Sequence, residues 1–201
     1  MTLQLGILVS GNGTNLQAII DATQKKELEA KVSIVISDKP QAFALERARK
    51  HGIATEVILR KNFQDKSGFE NEILKKLKEK NVEWVVLAGF MRLLSSAFIQ
   101  QYPDRILNIH PALLPAFPGL NAIAQAFDHK AKETGCTVHL VDEGCDTGPI
   151  VAQRRVPIEA HDTLDTLTQK VHQEEHRLYP EVLRCISEGR LKIKGRKVFI
   201  K

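Results

Sequence analysis

Apolar residues along this chain follow two rhythms. Short apolar runs at Leu5–Val9, Val32–Ser37 and Trp84–Ala88 have the length and density of buried strands. Between them, apolar residues recur three and four apart, as at Leu16, Ile19 and Ile20. This spacing predicts a helix over Asn15–Glu29, a second over Ala42–His51 closed by Gly52, and a charged third at about Asp65–Lys80. A short strand around Thr55–Ile58, a helix at about Ser96–Tyr102 and a strand at Ile106–Ile109 continue the series. Strand and helix alternate throughout, which predicts an α/β fold with a doubly wound, mostly parallel sheet and helices on both faces.

After Pro118 the pattern changes. A short helix at Asn121–Phe127 precedes two strands, Thr137–Val141 and Ile150–Val156, joined by an acidic, glycine-rich loop. A long amphipathic helix over Thr163–Glu188 ends before Gly189, and a hairpin of Leu191–Ile193 and Val198–Ile200 turns at Lys194-Gly195-Arg196. No repeat, low-complexity tract or linker interrupts the sequence, so a single domain over residues 1–201 is expected.

Composition narrows the function classes. With 43% hydrophobic and 26% charged residues the chain has the balance of a soluble globular protein, and none of its apolar runs has membrane-spanning length. The start runs directly into a strand without a basic, apolar leader. The three cysteines, Cys136, Cys145 and Cys185, lack metal or redox spacing, which fits a reducing cytoplasm. The net charge of +5 is dispersed, apart from a cluster at Lys192, Lys194, Arg196 and Lys197. Without aromatic–basic interleaving, this charge favours small anionic ligands over nucleic acid.

Candidate chemistry concentrates at strand ends. Asn108 and His110 alternate on one strand, so both side chains face the same way where the strand opens into Pro111-Ala112-Leu113-Leu114-Pro115. An amide donor beside an imidazole suits a developing oxyanion and a moving proton. Asp142-Glu143-Gly144-Cys145-Asp146-Thr147-Gly148-Pro149 offers an acid that can partner the histidine. Ser10-Gly11-Asn12-Gly13-Thr14-Asn15, between the first strand and first helix, is either an anion-binding turn or a plain βα turn capped by Thr14. Met91-Arg92-Leu93-Leu94 follows a strand at its carboxyl end, where α/β sheets line their crevices, although its leucines suit a core equally. His172 and His176 lie one helical turn apart, but Gln173 stands where a metalloprotease motif needs Glu, which favours a solvated or ligand-facing helix surface. Cys145 reads as a packed loop thiol.

Taken together, five segments resemble the phosphoribosylglycinamide formyltransferases. They are residues 10–15, Leu-Ala-Gly-Phe-Met-Arg-Leu-Leu at 87–94, Asn-Ile-His-Pro-Ala-Leu-Leu-Pro at 108–115, the acidic loop at 142–149, and Glu-Glu-His-Arg-Leu-Tyr-Pro at 174–180. The resemblance spans about residues 4–190 and implies a Rossmann-like formyltransferase fold, with ribotide phosphate bound by the N-terminal half and folate and catalysis handled by the C-terminal half. It implies that Asn108, His110 and Asp146 are catalytic. Gly11, Asn12, Gly13, Thr14, Asn15 and Glu175 would bind the ribotide, and Lys66, Met91, Arg92, Leu93, Leu94, Asn108, Asp142 and Glu143 the folate. Lys66 stands where many members carry Arg, Ala112 where Ser is frequent, and Asn121 where some have His.

The resemblance further implies purine biosynthesis with 10-formyltetrahydrofolate as cosubstrate and no metal. Small molecules would be the only partners, without nucleic acid or membrane, and the protein would be a monomer or homodimer. Attack by the ribotide amine would create an oxyanion held by Asn108 and protonated His110, with Asp146 sustaining the imidazolium. Methionyl-tRNA formyltransferases and formyltetrahydrofolate hydrolases resemble the same fold. The extra C-terminal and N-terminal domains of those families, and the Gly-Asn-Gly loop here, set them behind the ribotide reading.

Overall fold

The computed structural model describes residues 2–201 and divides into two compact units, the first ending at Leu107 and the second comprising Asn108–Lys201.

The first unit follows the predicted alternation. Strand β1 (Leu3–Val9) leads to helix α1 (Thr14–Gln24), β2 (Ala30–Ser37), α2 (Phe43–Lys50), β3 (Thr55–Val57), α3 (Lys66–Glu79), β4 (Trp84–Leu87) and the short α4 (Ser96–Ile99). The strands lie in the order β3-β2-β1-β4, and every pairing among them is parallel. Leu5, Ile7, Leu8 and Val9 are fully buried, as expected for a parallel strand covered on both faces. A Cβ at Gly6 would run into the Leu77 and Val82 side chains, so glycine there lets α3 and its exit approach the sheet.

Two helices are shorter than their apolar spacing predicts. α1 ends at Gln24 rather than Glu29 because Lys26 turns left-handed (φ 59°) and the Glu27 amide bonds back to the Ala22 carbonyl. Leu28, buried at 2% exposure, belongs to this closing turn and not to the helix. α4 stops at Ile99, and the Gln101 and Tyr102 amides bond only three residues back, to the Phe98 and Ile99 carbonyls. Pro103 follows directly and disfavours helical backbone at Tyr102.

β5 (Ile106–His110) crosses the boundary at Leu107. The second unit continues with α5 (Ala122–Asp128), β6 (Glu133–Leu140), β7 (Ile150–Pro157), α6 (Leu164–Ser187) and a hairpin of β8 (Leu191–Lys194) and β9 (Lys197–Ile200). Strand order here is β5-β6-β7, with β6 and β7 antiparallel. β6 begins at Glu133, ahead of the predicted Thr137, because Glu133–Cys136 pair with Arg154–Pro157. Gly135 permits this: a Cβ there would collide with the Arg154 backbone. α6 opens on a capping box between Thr163 and Thr166 and buries Leu167, Val171, Leu178, Val182 and Leu183. Among the described residues no helix is long and apolar enough to cross a membrane.

Candidate active site

In the first unit, strand order reverses at β1, which pairs with β2 on one side and β4 on the other. Ligands of open α/β sheets bind at the carboxyl ends of strands around such a reversal. The loops leaving β1 and β4 carry the predicted residues Gly11–Asn15 and Met91–Leu94. Gly13 occupies the helix N-cap position with φ 78°, and an added Cβ would lie 2.5 Å from Ala44 Cβ and 2.8 Å from its Cα. Thr14 is therefore the first helical residue and not the cap. Because Gly13 offers no side-chain cap and the first turn holds no acidic residue, the α1 N-terminus keeps its anion-favouring amide dipoles.

Side chains hold this loop in shape. Arg47 on α2 donates from Nε to the Asn12 carbonyl (2.9 Å) and from Nη2 to Asn12 Oδ1 (2.8 Å), while its guanidinium lies 4.8 Å from the Phe43 ring centre. Asp38, buried at the end of β2, accepts from Ser10 Oγ (2.7 Å) and from Arg92 Nε (2.6 Å). Ser10 in turn donates its amide to the Gly89 carbonyl (3.0 Å) and accepts the Met91 amide on its hydroxyl (3.0 Å). One buried carboxylate thus ties the β1 loop to the β4 loop. Met91 (63%) and Leu93 (62%) are left exposed, whereas Leu94 is core. Lys66, at the start of α3, has its ammonium 3.7 Å from Glu70. The buried Glu70 carboxylate also accepts from the Ser95 amide and hydroxyl.

The second unit brings Asn108, His110 and Asp146 together. Asn108 and His110 sit two apart on β5, as their spacing predicts, and Asp146 arrives on the β6–β7 loop in a left-handed conformation (φ 56°). Asp146 Oδ2 lies 3.3 Å from His110 Nδ1 and accepts the Gly119 amide at 2.9 Å. His110 Nε2 meets the Phe117 carbonyl at 2.8 Å. Each nitrogen of this ring therefore faces an oxygen that can only accept. Asn108 Nδ2 donates to Asp146 Oδ1 at 3.3 Å and lies 3.1 Å from His139 Nε2.

His139 is the residue the sequence reading passed over. It is buried on β6, its Nε2 lies 3.5 Å from Asp146 Oδ1, and its Nδ1 faces the Leu140 carbonyl at 2.8 Å. The available signal was an imidazole in step with Thr137 on an apolar strand. Thr137 itself pins the Pro111–Pro115 loop, donating to the Ala112 carbonyl (2.6 Å) and accepting the Leu114 amide (3.1 Å). Burial works to raise the Asp146 carboxyl, but bonds from His139 and the Gly119 amide, with the charge of His110, hold it at about 2.

The remaining predicted residues of this unit are dispersed around the trio. Asp142 Oδ1 accepts from Thr147 Oγ1 (2.6 Å) and the Gly144 amide (3.2 Å), and Glu143 is exposed. Glu175 is buried on α6, where after burial itself it helps push the Cys136 thiol up to about 12. Cys145 is exposed, contrary to the packed thiol expected, and its acidity is reduced by burial of the sulfur and by Asp146. The His172 and His176 rings stack 6.4 Å apart, and burial lowers the His172 pKa.

The formyl transferase family model matches residues 3–183. The chain belongs to the formyl transferases. It is 43% identical over 181 residues to the phosphoribosylglycinamide formyltransferase of Bacillus subtilis, covering 90% of this chain and 93% of that protein. The Escherichia coli enzyme of the same name is also 43% identical, over 95% of this chain and 90% of its own length. A crystal structure of glycinamide ribonucleotide transformylase 1 from Symbiobacterium toebii superimposes with a TM-score of 0.96 at 45% identity, covering 99% of this chain and 94% of that one. The α/β, mostly parallel fold is that of these formyltransferases.

Two departures noted in the sequence have local explanations in this formyltransferase. Ala112 is fully buried with its carbonyl already bonded to Thr137, so an added hydroxyl would need a buried partner. Asn121 adopts a left-handed conformation (φ 57°) at the N-cap of α5, which asparagine tolerates better than most residues.

Proposed function

We propose that this formyltransferase moves the formyl group of 10-formyltetrahydrofolate to the amine of 5-phosphoribosylglycinamide, a step of purine biosynthesis. The observation that carries the reading is Asp146, whose single carboxylate faces His110 on one oxygen and Asn108 with His139 on the other. The substrate amine attacks the formyl carbon and its C–N bond forms. The carbonyl oxygen gains charge, and collapse of the tetrahedral carbon breaks the bond to the folate nitrogen. The proton lost by the amine passes to that nitrogen, directly or through water.

Asn108 donates to the oxyanion, and protonated His110 donates from Nε2 by releasing its 2.8 Å contact to the Phe117 carbonyl. Asn108 Nδ2 donates to Asp146 at 3.3 Å, and this long contact is the one exchanged for the oxyanion. Asp146, held at about 2, stays ionised at any physiological pH and stabilises the imidazolium by charge. Gly11–Asn15 receive the ribotide phosphate on backbone amides, and Glu175 meets the glycinamide portion. Exposed Met91 and Leu93 offer the folate apolar surface beside Arg92, and Asp142 and Glu143 of the catalytic loop are assigned to the folate as well. Lys66 reaches the folate tail only by leaving Glu70.

The reaction involves small molecules, no metal and no nucleic acid, and we place it in the cytoplasm with the protein as a monomer or homodimer. Purified protein should formylate the ribotide in proportion to folate product formed. Release of formate at the same rate without ribotide would favour a hydrolase instead.

A further inference from the structure

We propose that Arg196, in the turn of the C-terminal hairpin, is a positioning residue that latches the catalytic loop; this rests on the formyl-transfer reading. The loop between β6 and β7 carries Asp146 just past its middle. Within it, Asp142 Oδ1 gathers the Gly144 amide and the Thr147 hydroxyl, folding residues 142–147 around one carboxylate oxygen. The other oxygen faces outward and accepts from Arg196 Nη1 at 3.1 Å. Arg196 Nη2 donates to the Thr147 carbonyl at 2.5 Å. One planar guanidinium therefore spans the start of the loop and the residue directly after Asp146, a fork that lysine cannot reproduce.

The anchor behind the fork is firm. Leu191–Lys194 pair with Lys197–Ile200 around Gly195 (φ 57°), β9 packs against β7, and the Lys201 amide bonds back to the Arg190 carbonyl. On the loop side, Gly148 lies so close to the Leu140 carbonyl that no Cβ fits. Burial tends to raise the Asp142 carboxyl, but the bonds from Thr147, Arg196 and Gly144 outweigh it and lower it. The geometry gives one member of the basic C-terminal cluster a specific task that its general positive field does not explain.

Arg196 is 69% exposed, so removing its side chain disturbs no core. Two measurements on the full chain test the latch. In Arg196→Ala, amide hydrogen exchange at residues 143–147 should accelerate while β6 and β7 keep their protection. The turnover number should fall roughly three- to ten-fold, the scale of losing one exposed charged contact plus loop order, with ribotide KM little changed. Arg196→Lys should recover part of both effects, since an ammonium reaches one acceptor but not the fork. Unchanged exchange in Arg196→Ala would overturn the latch. Faster exchange with unchanged turnover would overturn its role in positioning Asp146. Exchange reads the latch even if the protein formylates some other amine, so the two proposals fail separately.

Discussion

The two units present their candidate residues in different ways. In the first, the Gly11–Asn15 loop works through backbone: a left-handed Gly13 packed on Ala44, amides at a helix start, and Arg47 and Asp38 holding the shape. In the second, Asn108, His110, His139 and Asp146 work through side chains converging from two strands and a loop. A backbone site fails when its shape is lost, and should then weaken one substrate. A side-chain site fails when a charge or donor is lost, and should then slow the chemistry.

The sharpest way to break this contrast is to delete donors in the second unit. His110→Ala and Asn108→Ala should each lower turnover by about 10²–10³-fold with modest changes in either KM, the scale of losing one oxyanion donor. Steady-state kinetics on folded variants check this, and a loss confined to ribotide KM would erase the distinction. In the first unit, Gly13→Val should raise ribotide KM by roughly ten-fold or more and leave folate KM nearly alone, because a branched Cβ meets Ala44 and the left-handed φ is strained. Parallel weakening of both substrates would show that the loop does not serve the ribotide alone. Arg47→Ala is the milder form: it frees Asn12 without a clash, so ribotide KM should rise about three-fold while turnover holds.

The smallest effect concerns acid stability. Asp146 sits at about 2 in the folded protein against an ordinary 3.8. A depressed carboxyl contributes stability that is fully present above its unfolded value and lost as pH falls through the folded one. Wild type should therefore lose part of its stability between about pH 4 and 2 on account of Asp146. Asp146→Asn should lack that component, as urea midpoints across this range would reveal.

The contrast also explains what the sequence disclosed. Gly11 and Gly13 between a strand and a helix are a local pattern, and so are Asn108 and His110 on one strand. Local patterns translate directly into faces and turns. His139 escaped because its place beside Asn108 depends on β5 and β6 being neighbours in the sheet, which no short window encodes. Arg196 escaped for the same reason, reaching Asp142 only through the hairpin's packing on β7. Helix ends failed on backbone detail: the left-handed turn at Lys26 and the proline after Tyr102 end α1 and α4 while apolar residues continue.

The central claim is that the Asp146 carboxylate organises the chemistry by charge. Its most direct test is formyl transfer from 10-formyltetrahydrofolate to 5-phosphoribosylglycinamide by Asp146→Asn, with circular dichroism to verify folding. The amide keeps the shape and an acceptor but loses the charge beside His110. The account predicts a fall in turnover of at least about 10²-fold at neutral pH, with near-normal KM for both substrates. A folded Asn variant that turns over at the wild-type rate would contradict it.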